Sequence, residues 1–224
     1  MKSPTERPYL WFFSILALVG LVVDQTSKYT VFTWLYPTHE KQVKTAHPII
    51  VDAFELQTNY FELDPRDPPL SFLQGISGER KPHVNRGALF GIGNEGGYNN
   101  LFMTISIGAA IFILIWSQRP LVAHDRFLTM ALGLILGGTF GNLYDRVVFG
   151  GVRDFLRWHG GFEWPTFNIA DCCLVCGACM LLVHSFFLHE EKTPEPENPA
   201  SAEATVAVEP STLVVTTAQG ERPA

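Results

Sequence analysis

Four stretches of this sequence carry no formal charge or almost none: Pro8–Val23, Gly96–Gln118, Phe127–Tyr144 and, interrupted only by Asp171, Trp164–Leu188. A helix rises about 1.5 Å per residue and needs ~20 apolar residues to cross a hydrocarbon core. The first and third runs reach that length if Asp24 and Tyr144 sit near an interface. The chain is therefore read as an all-α membrane protein with four transmembrane helices, at roughly Tyr9–Trp34, Asn99–Gln118, Arg126–Leu143 and Phe167–His189. A composition of 47% hydrophobic residues, with 17 Phe and 5 Trp, agrees with that class. Lys2 and Arg7 before the first run mimic a signal peptide, but no small-x-small cleavage site follows. The run passes directly into Asp24-Gln25-Thr26-Ser27-Lys28, so a retained helix is expected.

Residues 37–98 are polar and contain short alternating pieces such as Ile49–Leu56 and a Pro-rich stretch at Asp64–Pro69. They are expected to form a small β-containing extracytoplasmic subdomain within a membrane unit covering 1–189. Residues 190–224 are rich in Pro, Glu, Ala, Thr and Val, lack aromatic residues, and read as a disordered acidic tail. The net charge of −6 says little about partners, because much of the acid lies in this tail. Lys2, Arg7, Arg119 and Arg126 favour a cytoplasmic N-terminus under the positive-inside rule. The basic residues of the long first loop weaken that vote.

Asp171 is the anomaly. A carboxylate at bilayer depth costs at least roughly 2.5–3.5 kcal/mol on insertion scales, so it is a functional candidate by default. Asp154 precedes it in Val152-Arg153-Asp154-Phe155, on the loop leading into the fourth span. With four spans, Asp24, Asn85, Asn142, Arg146, Asp154 and Asp171 all fall at one membrane face. A paired carboxylate site and structural salt bridges to Arg146 or Arg153 both fit this pattern.

Five clusters recur in that layer: Asp24–Lys28, Asn85-Arg-Gly-Ala-Leu-Phe-Gly91, Gly137–Arg146, Val152–Phe155 and Phe167-Asn-Ile-Ala-Asp171. Together and in this order, over about residues 9–189, they resemble the motif set of lipoprotein signal peptidase (signal peptidase II, prolipoprotein signal peptidase). The resemblance implies a membrane aspartyl endopeptidase of the bacterial inner membrane, with its active site at the extracytoplasmic face. It implies cleavage of diacylglyceryl-modified prolipoproteins N-terminal to the lipidated cysteine, with membrane lipid as a second partner, no nucleic acid, no metal and no cofactor. Asp154 and Asp171 then match the catalytic pair. Two nearby carboxyls cannot both ionise cheaply, so they share a proton.

By the same resemblance Asn142, Arg146 and Asn168 orient the aspartates and the substrate. Asn142 and Arg146 lie i, i+4, and Asn168 and Asp171 i, i+3, so each pair can share a helix face. Capping and interfacial snorkelling would also explain Arg146. Asp24 and Lys28, again i, i+4, either pair with each other or support the site. Asn85 and Gly87 belong to a loop whose glycines permit tight turns near substrate, or to a plain turn. Asp145 is read as structural. Gly133, Gly137 and Gly141 recur every four residues and predict close helix packing. Cys172, Cys173, Cys176 and Cys179 lie on one helix, which cannot wrap them around a zinc ion, so they read as packing residues. The rival class is a small proton-coupled transporter or binding protein using the same carboxylates as a relay, although transporters usually show repeated halves. The long 37–84 segment and the acidic tail depart from the family pattern, without touching a motif.

Overall fold

In a computed structural model of the protein, the described residues are 8–37, 44–62, 80–87 and 98–188. Among them the helices are α1 (Leu10–Trp34), α2 (Tyr98–Ser117), α3 (Pro120–Ala123), α4 (Arg126–Phe149) and α5 (Ile169–Val183), the last continued by a π-helical turn, His184–Leu188. Four helices are long and apolar enough to cross a bilayer: Leu10–Trp34, Tyr98–Ser117, Arg126–Phe149 and Ile169–Phe186. The predicted tail at 190–224 and the Asp64–Pro69 stretch lie outside the described residues.

The helix α4 is the hub. Over half of its apolar window, 56%, is buried inside the protein, against 17% for α1 and α2 and 11% for α5, so the other three present most of their surface outward. Small residues let α4 take this place. A Cβ on Gly133 would meet Phe13 O at 2.8 Å, and one on Gly137 would meet Ala17 O at 2.8 Å, so the glycine stripe is the seat of α1. On another face, a Cβ on Gly138 would stand 2.4 Å from Ala170 O of α5. The backbones approach this closely only because those positions lack side chains.

The helix α4 also runs further than its sequence suggests. It was expected to end near Leu143, but it continues to Phe149 and stops at Gly150, whose φ of 72° is left-handed. Charged residues at 145 and 146 do not break a helix when their side chains find partners, whereas a glycine free to adopt positive φ does. Asn142 and Arg146 therefore lie one turn apart on continuous helix. The start of α4 is fixed by Asp125, whose Oδ1 accepts the Leu128 N–H at 2.9 Å.

The strands β1 (Lys44–Ile50), β2 (Phe54–Glu62), β3 (Arg80–Pro82) and β4 (Leu156–Trp158) form a small antiparallel sheet centred on β2. One edge of β2 pairs with β1; the other pairs with β4 through Phe54–Leu56 and with β3 through Tyr60–Glu62. The sheet is seated on the end of α1. Tyr60 OH donates to Phe32 O, Thr58 Oγ1 donates to Leu35 O at 3.1 Å, and the Tyr60 ring meets Phe32 and Tyr36 edge-on. This join, with Phe155 and Leu156 buried in it, fixes the height of the loop that carries Asp154.

Overpacking at the α1–α4 contact should be costly. Gly137→Ala is expected to lower stability by about 1–3 kcal/mol, because the obstructing atoms are backbone. Gly108→Ala on α2, where a Cβ meets nothing within 4 Å, should be neutral or slightly stabilising. Thermal unfolding of both variants in the same detergent compares them directly.

Candidate active site

Asp171 is the third residue of α5, and Asn168 caps that helix. The cap is reciprocal: Asn168 Oδ1 accepts the Asp171 N–H at 3.1 Å, and Asp171 Oδ2 accepts the Asn168 N–H at 3.1 Å. Such a box satisfies two of the donors that a helix start leaves open. The Asn168 amide nitrogen is thus free to turn elsewhere, and it donates to Asp154 Oδ1 at 2.7 Å and to Asn142 Oδ1 at 3.2 Å. Asn142 in turn donates from Nδ2 to Asp171 Oδ1 at 2.9 Å. Asn85 completes the set, donating from Nδ2 to Asp154 Oδ2 at 3.2 Å. Each of the four carboxylate oxygens of Asp154 and Asp171 therefore accepts a hydrogen bond from a fixed amide.

Backbone pairing holds these donors in place. Asn85 and Val152 exchange N–H···O bonds of 2.8 Å each way, and the Phe155 N–H reaches Phe167 O at 3.0 Å. Asn85 Oδ1 also accepts the Gly87 N–H at 3.0 Å, and Gly87 O accepts from Arg146 Nη2 at 3.3 Å. The Arg146 guanidinium lies over the Phe102 ring, 5.6 Å from its centre, and its buried Nε has no hydrogen-bond partner among the described residues.

Behind this layer Asp24 and Lys28 are fully buried and paired at 2.8 Å. Asp24 is also a second cap for α5, accepting the Ala170 N–H at 2.9 Å. Lys28 Nζ donates to Asn142 Oδ1 at 3.2 Å, which turns the Asn142 amide so that its nitrogen faces Asp171. Every site residue expected from the sequence is thus gathered into one network. The salt bridges weighed for the two aspartates are not formed among the described residues: Arg153 pairs with Asp145 at 2.9 Å. Asp145, expected to be structural, is fully buried and also 3.4 Å from Lys28.

The two aspartates stand at the polar end of a cavity of about 790 Å³. Ile105, Ala109, Leu174, Val175 and Cys176 line its apolar end, between α2 and α5; Asn59, His83 and Trp164 line the side nearer the sheet. Burial first, and then the neighbouring Asp171 carboxylate, push Asp154 up to about 7. His83 is held below its ordinary value by burial and by Arg86. Sequence reasoning did not single out His83, gave Gln25 no role within its cluster, and weighed Arg153 only as a partner of the two aspartates. His83 had a usable signal, since it lies two residues before Asn85 on extended chain and so shares its face. The cysteines lie along α5, with Cys172 and Cys173 half-buried and Cys176 and Cys179 exposed.

A paired carboxylate site in a four-helix membrane bundle can be compared with known proteins. The sequence model of signal peptidase II matches residues 76–187. A lipoprotein signal peptidase of Rhodopirellula baltica is 36% identical over 196 residues, covering 82% of this chain and 74% of the relative. The chain belongs to the lipoprotein signal peptidase family. The lipoprotein signal peptidase of a Janthinobacterium species is 46% identical over 101 residues, which cover 44% of this chain and 60% of that protein. A solved bacterial membrane enzyme, at 22% identity, superposes with a TM-score of 0.56 over 82% of this chain and 91% of its own, and so shares the fold.

The two jobs of Asn168 can be separated in this peptidase. Asn168→Ser keeps an oxygen for the cap but removes the donor to Asp154, so activity should fall by about 10–100-fold with little change in thermal stability. Asn168→Ala should lose a further ~1 kcal/mol of stability. Turnover and unfolding midpoints of the two variants check both statements.

Proposed function

We propose that this protein is an aspartyl endopeptidase that removes the signal peptide from diacylglyceryl-modified prolipoproteins, cutting N-terminal to the lipidated cysteine. The observation that carries the reading is the gradient along the cavity: two amide-braced carboxyls at one end, an apolar wall of α2 and α5 side chains at the other. The acyl chains lie against Ile105, Ala109, Leu174 and Val175, while the peptide crosses the polar end. The ionised member of the Asp154–Asp171 pair takes a proton from water, and the resulting hydroxide attacks the scissile carbonyl. The protonated member hydrogen-bonds the carbonyl oxygen as negative charge develops there. That proton belongs to the pair. Collapse of the tetrahedral intermediate returns a proton to the leaving amine. Arg146 lines the cavity, and its guanidinium is the donor for a substrate carbonyl. The enzyme works in the bacterial inner membrane with this site at the extracytoplasmic face, where lipidated precursors are held.

Purified protein assayed with a lipidated precursor peptide tests the reading. Asp154→Asn and Asp171→Asn should each reduce cleavage by about 10²–10⁴-fold, and the same peptide without its diacylglyceryl group should be a poor substrate. Full cleavage by either variant sinks the proposal. The pair must hold one proton to work, and burial raises the affinity of Asp154 for it. Activity should therefore fall as pH rises through about 7, read as the alkaline limb of kcat/KM.

A further inference from the structure

Arg153, immediately before Asp154, has no exposed surface. A buried guanidinium is expensive unless its charge and hydrogen bonds are met; here Nε and Nη2 are paired, while Nη1 has no hydrogen-bond partner among the described residues. Asp145 of α4 accepts Arg153 Nη2 on Oδ1 at 2.9 Å, and on Oδ2 it accepts both Nε at 3.2 Å and the Arg153 backbone N–H at 2.8 Å. One carboxylate thus holds the side chain and the main chain of the same residue. The guanidinium carbon lies 3.9 Å from the centre of the Phe149 ring and 4.3 Å from that of Tyr29, so the fork is also stacked. Arg146, one residue after Asp145, faces the cavity and takes no part.

The consequence falls on the next residue. The two neighbours have different surroundings: Arg153 is held against Asp145, Tyr29 and Phe149 of α1 and α4, while Asp154 lines the cavity. Holding Arg153 on the helix side fixes the backbone from which Asp154 reaches the cavity. The fork has a second connection. Arg153 Nη2 donates to Gln25 Oε1 at 3.0 Å, and Gln25 Nε2 donates to Asp24 Oδ2 at 3.0 Å. Asp24 in turn holds the Ala170 N–H, beside Asp171. The segments bearing the two aspartates are thus joined from behind, independently of the asparagines that join them in front.

We infer that Arg153 is a positioning residue of the peptidase: pinned by Asp145 and Gln25, it sets the placement of Asp154 relative to Asp171. Lysine cannot replace it fully, because an ammonium offers neither the planar fork nor the stacking face. This role rests on the aspartyl peptidase reading above.

The test separates positioning from simple support of the fold. Arg153→Met alone leaves Asp145 without its fork and should cost both stability and kcat. The double variant Asp145→Leu/Arg153→Met removes both buried charges, a replacement that often preserves stability. Its unfolding midpoint should return towards wild type while kcat for the lipidated precursor stays at least tenfold down and KM stays within about twofold, and Arg153→Lys should fall between. Recovery of kcat along with stability in the double variant would overturn the inference, as would undiminished kcat in Arg153→Met. Wild-type protein assayed in parallel distinguishes the two failures: if it does not cleave, both readings fall, and if it cleaves while the variants match it, only the role of Arg153 does.

Discussion

Everything in this site depends on how the N-terminus of one helix is met. A helix start leaves several N–H groups without partners and carries partial positive charge. At α5 the Asp24 carboxylate meets the Ala170 N–H and Asn168 meets the Asp171 N–H. Both caps are functional-layer residues, and both are also tied to other helices. Stabilising α5 and assembling the polar layer are therefore one event, so the helix cannot be shifted without disturbing the carboxyls.

The hub helix makes the arrangement compact. Glycines on two faces of α4 bring the backbones of α1 and α5 close, and immediately after Gly141 and one turn beyond it the same helix presents Asn142 and Asp145 to those neighbours. A Cβ at Gly141 would stand 2.5 Å from Asp24 Oδ2, which shows how far the packing stripe and the polar network share space. Lys28 and Asp171 then set the orientation of the Asn142 amide, whose two ends would otherwise be interchangeable. A buried cation on one side of Asn142 and a carboxylate on the other leave one sensible orientation.

Much of this was legible in the residues. Four charge-poor runs of bilayer length gave the spans, because lipid offers unpaired backbone no partner. Asp171 announced itself by its cost in an apolar run, and parity placed Asp24, Asn85, Asn142 and Arg146 beside it. The pairing of Arg153 was not legible. Its sequence neighbour Asp154 was the natural partner to consider, and the reach back to Asp145 depends on where α4 ends. That end was misplaced because Asp145-Arg146 looks like an interface, whereas Asp145 is paired inside the protein, Arg146 turns to the cavity and Gly150 makes the turn. Gln25 carries no signal of its own until the helix faces are set.

The helix α2 packs on α4 and leaves α5 almost untouched. Only Ala110, Ile113 and Ser117 of α2 are buried, and all three lie in its second half. Nearer its start Ile105 and Ala109 line the cavity opposite Leu174 and Val175 of α5, so the cavity, and not packed side chains, lies between the two helices there. On the proposed reading, a substrate held in the membrane by its own acyl chains meets this apolar wall without leaving the hydrocarbon, and its search for the two aspartates is two-dimensional.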